Sequence, residues 1–192
     1  MTEKLLTIND YSRPGRKMRI ILGVVLHWTA NPGVSAESNR DFFESRKTGT
    51  LGAGSAHYII GLNGETIRCI PEDEMAYHCG SSQADPVSKL IYTDLARELF
   101  GEFAKNPKAL SPNQVTIGIE LCPIDAKGNF NPATIDSAIE LVKDLVKRYS
   151  LTRERVITHH DVVGYKDCPR LWVNHPECFE AFKDKVFEAR PA

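Results

Sequence analysis

Two histidines, two aspartates, a lysine and a cysteine crowd one short stretch of this chain, Thr158-His159-His160-Asp161 followed by Lys166-Asp167-Cys168-Pro169. Imidazole and thiolate are the side chains that zinc prefers, and a catalytic zinc takes three protein ligands and keeps a fourth position open for water. The stretch can supply two ligands, and His27, which follows the apolar run 20–26, could supply a third from the end of a strand. A carboxylate also stands in the apolar run Ile117-Gly118-Ile119-Glu120-Leu121, where it is costly unless paired or solvated at a site. None of these residues decides the matter alone. A histidine that ends an apolar strand is commonly a hydrogen-bonded structural residue, a cysteine before proline commonly packs as a small hydrophobe, and Glu120 could be an edge charge turned to water.

Positioning such groups takes strands, and β-branched runs bounded by turn residues predict them over 19–27, 57–62, 66–70, 115–121 and 156–158. Asn63-Gly64, between the second and third, reads as a hairpin turn. Apolar residues at helical spacing predict helices over 35–46, 88–103 and 176–187, and a further helix opening at Asn131-Pro132 and carrying Ile135, Ile139, Val142, Leu145 and Val146. The alternation predicts an α/β fold, a single domain over 1–192 whose central mixed β-sheet is flanked by helices, with the reactive groups in a cleft at the sheet edge. The segment 81–113 interrupts the strand pattern and reads as an insertion at the edge of the domain, where binding determinants often sit.

Composition narrows the partners. With 24 basic and 25 acidic residues in 192, the chain lacks the basic excess of a general nucleic-acid binder. Its longest apolar run is far too short to cross a bilayer, so no membrane insertion is expected. The opening residues lack the apolar stretch of a signal peptide, so synthesis in the cytoplasm is expected. The five cysteines, Cys69, Cys79, Cys122, Cys168 and Cys178, are odd in number and widely spread, which leaves at least one thiol free or bound to metal. A monomer is expected. His175 and Cys178 find no further partners in sequence, and a second metal site there is not expected.

Five segments in order resemble one family: Val25-Leu26-His27-Trp28-Thr29, Ala56-His57-Tyr58-Ile59-Ile60, Ala76-Tyr77-His78-Cys79-Gly80, Ile117-Gly118-Ile119-Glu120-Leu121, and the stretch from His159 to Pro169. From about Gly23 to Cys168 the chain is similar to the zinc-dependent N-acetylmuramoyl-L-alanine amidases, a group that includes the bacteriophage T7 lysozyme type, endolysins, cytosolic anhydromuropeptide amidases and peptidoglycan recognition proteins. The resemblance implies a Zn2+ ion held by His27, His159 and Cys168, with His159 taken over His160 because the first of the pair is the family's ligand. It implies Glu120 as the general base acting on water at the zinc and Lys166 as the stabiliser of the oxyanion. The bond cut would join N-acetylmuramic acid to L-alanine in bacterial peptidoglycan, and the enzyme would act at the cell wall after release. His78, Trp28 and Tyr58 are the candidate contacts to substrate, and no wall-binding domain is visible.

Two departures from the family pattern stand out. Some members carry a tyrosine where this chain has Ala56, so a mechanism that relies on that phenol does not apply here, and the 81–113 segment resembles only a subset of endolysin-like members. Asp161 could orient a ligand or serve structure. Two other readings remain. A non-catalytic muropeptide-binding module usually carries serine at the position of Cys168, and a cytosolic recycling amidase typically carries aspartate, so Cys168 favours the lytic group.

Overall fold

The computed structural model describes residues 1–84, 91–100 and 111–188. Six strands, β1 (Thr2–Glu3), β2 (Gly23–Trp28), β3 (Tyr58–Ile60), β4 (Thr66–Arg68), β5 (Thr116–Leu121) and β6 (Val156–Thr158), form one sheet in the order β1-β4-β3-β5-β2-β6. The sheet is mixed: β3, β5, β2 and β6 run parallel, and β4 lies antiparallel to β3. Strand β2 lies between β5 and β6 and is buried along its whole length, which is why its sequence, GVVLHW, reads as a nearly continuous apolar run instead of alternating. The hairpin expected at Asn63-Gly64 joins β3 to β4, and of the two residues only Gly64 takes a positive φ, of 80°.

Side-chain alternation divides the sheet into two unlike faces. Val24, Leu26, Tyr58, Ile60, Ile117, Ile119 and Leu121 point to one face, where α3 (Pro132–Tyr149) and α6 (Pro176–Phe187) cover them with Ala138, Val142, Leu145, Phe179 and Phe182. The predicted stripe of α3 is the one that packs. Asn131 sits at the N-cap, but its amide leaves the helix uncapped and donates to the Leu62 carbonyl at 2.8 Å, tying α3 to the hairpin.

Val25, Val115 and Ile157 point to the other face, beneath α2 (Asp94–Phe100) and α4 (His159–Val163). The described part of the 81–113 segment is therefore core as well as edge. Tyr92, Ala96 and Phe100 are buried against β2, and the rest of the helix expected over 88–103 lies outside the described residues. The remaining helices are α1 (Ala36–Ser45), capped by the Ser35 hydroxyl, and α5 (Arg170–Asn174). No helix among the described residues is long and apolar enough to cross a membrane.

The face division corrects one expectation. Tyr58, expected to contact substrate, is buried on the α3 face, and its hydroxyl donates to the Glu72 carboxylate. That carboxylate also accepts from Tyr149 and from Arg148 Nη2, the latter at 2.8 Å. Burial works against the Glu72 charge, but the hydrogen bonds from Arg148, Tyr149 and Tyr58 prevail and bring its pKa from 4.5 down to about 2. A carboxylate with a depressed pKa contributes stability that is present above the unfolded value of 4.5 and is lost as pH falls toward about 2. Glu72→Gln is expected to be less stable than the native chain near neutrality, and to lose less of its remaining stability between about pH 5 and 2. Urea unfolding across that range checks both.

Candidate active site

The carboxyl ends of β5, β2 and β6 open on one cleft of about 550 Å³, within the usual range for a ligand site. The pairing of β2 with β5 sets His27 opposite Glu120, and alternation turns both to the face away from Tyr58. Strand β6 ends at Thr158, and the next residue, His159, begins α4. A capping box fixes that sharp exit. The Thr158 hydroxyl accepts from the Asp161 N–H at 3.1 Å, and the Asp161 carboxylate accepts from the Thr158 N–H at 2.8 Å. Asp161 therefore orients His159 through the backbone. His160 turns away from His27 and holds the returning loop, donating from Nδ1 to the Lys166 carbonyl at 2.8 Å and from its backbone N–H to the Cys168 carbonyl at 3.0 Å.

With the loop held in this way, His27, His159 and Cys168 converge. The two Nδ1 atoms are 3.2 Å apart, and Cys168 Sγ is 3.8 Å from His27 Nδ1. A tetrahedral zinc with bonds of roughly 2.0–2.1 Å to nitrogen and 2.3 Å to sulfur implies edges of about 3.4 and 3.6 Å, so the three atoms fit the ion.

The hydrogen bonds point the same way. Thr116 spends its hydroxyl proton on the Pro112 carbonyl at 2.7 Å, so its carbonyl and hydroxyl oxygens can only accept from His78 Nε2, each at 3.2 Å. His78 Nδ1 is then bare and accepts from His27 Nε2 at 3.0 Å. His159 Nε2 donates to the Gly80 carbonyl at 3.2 Å. Both Nδ1 atoms are thus left without a proton, lone pair facing lone pair. Burial, with neighbouring positive charge, holds the His27 pKa well below 6.5 and brings His159 down to about 4, so a proton between them is disfavoured at neutral pH. A metal cation would resolve the confrontation. Burial pushes the Cys168 thiol up, and a bound cation would reverse that balance.

A second set, His27, His78 and Cys79, lies equally close together. Its histidines already bond to each other through the atoms a metal would need, and Cys79 is fully buried. All three residues of that set are buried, and Cys79 does not line the cleft. His78, expected to contact substrate, lines the cleft but is 6% exposed and serves as the support of His27. Gly118 makes room for it, since a Cβ there would lie 2.5 Å from the His78 ring. His57, in the neighbouring matched segment, is structural. It accepts from the Gly118 N–H at 2.9 Å and donates to the Glu74 carbonyl at 2.8 Å.

Glu120 and Lys166 both line the cleft. Glu120 Oε2 is buried without a hydrogen-bond partner, and burial, opposed by the Lys166 charge, pushes its pKa up to about 8. Lys166 Nζ donates at 2.6 Å to the same Gly80 carbonyl that holds His159. Trp28 is mostly buried, with Arg170 lying over its ring at 5.1 Å, and both also line the cleft. Sequence reasoning missed Arg170, Tyr77, Ser55 and Phe43 in the lining, and missed Thr116 and Gly80 behind the histidines. Of these Tyr77 and Gly80 carried a signal, flanking His78 in a matched segment, and so did Arg170, two residues beyond Cys168.

Residues 16–171 match the N-acetylmuramoyl-L-alanine amidase family Amidase_2. A probable N-acetylmuramoyl-L-alanine amidase of Bacillus licheniformis is 35% identical over 93% of this chain and 45% of its own length. The amidase CwlL of the same species is 34% identical over 97% of this chain and 46% of its own. The chain thus spans a little under half the length of these curated relatives. Among solved structures, PlyL superposes with a TM-score of 0.71 at 20% identity, covering 100% of this chain and 99% of that one, which establishes the shared fold. The Escherichia coli amidase AmiD, solved with anhydro-N-acetylmuramic acid-L-Ala-D-γ-Glu-L-Lys, gives 0.55 at 25% identity, covering 90% and 60% of the two chains.

If His78 fixes the proton of His27, then His78→Phe, still folded by circular dichroism, is expected to bind zinc about 10- to 100-fold more weakly. Competition against a chromophoric chelator measures this, and an unchanged affinity would exclude the support role.

Proposed function

The chain belongs to the N-acetylmuramoyl-L-alanine amidase family, and from that premise we propose that it hydrolyses the amide between N-acetylmuramic acid and L-alanine in bacterial peptidoglycan, using a zinc ion held by His27, His159 and Cys168. The observation that carries this reading is the meeting of two unprotonated imidazole nitrogens and a thiol in an open cleft beside a buried, unpartnered carboxylate oxygen. The names of the relatives support the substrate class, and AmiD is an example of a similar chain solved with a muropeptide substrate. Cys168 favours catalysis over binding alone, because the third ligand is in place.

Bound there, zinc supplies a Lewis acid for the scissile carbonyl and lowers the pKa of water at its open position. Glu120 does the proton work. Its free oxygen takes the proton of the attacking water and delivers it to the departing nitrogen, so that the products are the lactyl carboxylate of the sugar and the free α-amine of L-alanine. A raised pKa suits the second half of that task, since the carboxyl must hold the proton until the C–N bond breaks. Lys166, drawn toward the cleft by the Gly80 carbonyl, brings positive charge to where the carbonyl oxygen turns negative.

Purified protein is expected to carry one zinc per chain and to release L-alanine amino termini from peptidoglycan without new reducing sugar ends, and a chelator should stop the release. Glu120→Gln should keep its zinc and lose about 10²- to 10⁴-fold in kcat. Full turnover by that variant, with zinc retained, would remove Glu120 from the reaction.

A further inference from the structure

Arg170 is built into the cleft without being used by it. Its guanidinium lies over the Trp28 ring at 5.1 Å, and Nη1 donates to the Ala126 carbonyl at 3.0 Å. The loop that offers this carbonyl is itself fixed. Asp125 accepts from the Lys127 N–H at 2.9 Å and from the Asn129 amide at 2.7 Å, and Gly128, at φ 87°, lets the loop close against Arg170. A Cβ on Gly128 would stand 3.2 Å from Arg170 Cβ and 3.3 Å from the Trp28 ring. An aromatic floor, a rigid carbonyl and a glycine thus hold one arginine at the mouth of the site.

Two basic side chains, Lys166 and Arg170, and two carboxyl groups, Glu120 and Asp167, line the cleft. Lys166 donates to the Gly80 carbonyl beside His159, and among the described residues no ion pair joins Arg170 to Glu120 or Asp167. Arg170 has one nitrogen satisfied and the remaining donors of its planar fork unassigned, and such a fork matches a carboxylate. Stacking on Trp28 holds the fork flat and lowers the entropy lost when it binds.

Resting on the amidase reading of this site, we infer that Arg170 is a specificity determinant that receives a free carboxylate of the stem peptide near the scissile bond. A γ-linked glutamate following L-alanine, as in the AmiD ligand, leaves its α-carboxylate free only a few bonds from the cut amide. The arginine therefore distinguishes peptides that carry this group as a carboxylate from those that carry it as a carboxamide.

The test uses the zinc-loaded protein and two synthetic muramyl tripeptides that differ only in that group. The native enzyme is expected to favour the carboxylate in kcat/KM by about 10- to 100-fold, the effect of one charged hydrogen-bonding pair. Arg170→Gln should bring the ratio close to one, and Arg170→Lys, which keeps the charge without the fork, should fall between. A native ratio near one, or a preference that survives Arg170→Gln, would overturn the inference while leaving the amidase reading intact. No cleavage of either peptide by zinc-loaded native protein would overturn both together.

Discussion

Two uncharged imidazole nitrogens held 3.2 Å apart inside a protein are a constraint on everything around them. Bare nitrogens facing each other repel, and in a buried site neither can readily take up a proton. The arrangement is held because each ring is anchored by its other nitrogen, His27 through His78 to Thr116 and His159 to the Gly80 carbonyl. Those acceptors come from the loop after Ala76 and from the start of β5, so the geometry of the candidate metal site depends on the register of the sheet as much as on the three residues that would hold the ion. A slip of one residue between β2 and β5 would send His27 or Glu120 into the α3 core.

The unlike faces of the sheet make this affordable. One face is filled almost wholly by aliphatic and aromatic side chains under α3 and α6, and it is the larger apolar cluster. The other face carries the polar work, with His27, Thr116 and Glu120 on β2 and β5, His57 just before β3, and His78 reaching in from the loop after Ala76. Buried polar groups of this kind are costly unless each finds a partner. Here nearly all do, down to the small residue at Gly118 that admits the His78 ring. Glu120 Oε2 is the exception in the cleft, a buried acceptor left free where a reacting water would need one.

Most of the scaffold was legible because its elements are long enough to show a period. The stripe of α3 and the bounds of α6 follow from spacing, and β5 and β6 from β-branched runs. Strand β1 has two residues and α4 and α5 have five each, too few for any periodicity, although the capping box of α4 was written in Thr158 and Asp161. The three converging ligands could be named from resemblance, but not the reason they converge. His160 and His159 are indistinguishable until the loop closes and one of them is spent on the Lys166 carbonyl. Tyr58 misled because alternation within one strand does not say which face another strand gives to its reactive groups. The β3–β5 register supplies that link, pairing Ile59 with Glu120 and sending Tyr58 to the opposite side.

The same register bears on how proton transfer can be arranged. With Ala56 where some relatives carry a phenol, and with the Tyr58 hydroxyl bound to Glu72 across the sheet, β3 brings no acid or base of its own from these two positions. The burden falls on β5. Glu120 stands directly beside His27, near enough to Cys168 to raise its thiol and to Lys166 to feel its charge, and enclosed enough that its carboxyl holds a proton more readily than a surface glutamate would. Lys166 opposes that tendency from across the cleft. A cation at the ligands would oppose it further, lowering the Glu120 pKa from about 8 toward the range where one carboxylate can both accept and return a proton near neutral pH. Burial and the two positive charges thus act in opposite directions on a single group, and their balance is what would let Glu120 serve both halves of one hydrolysis.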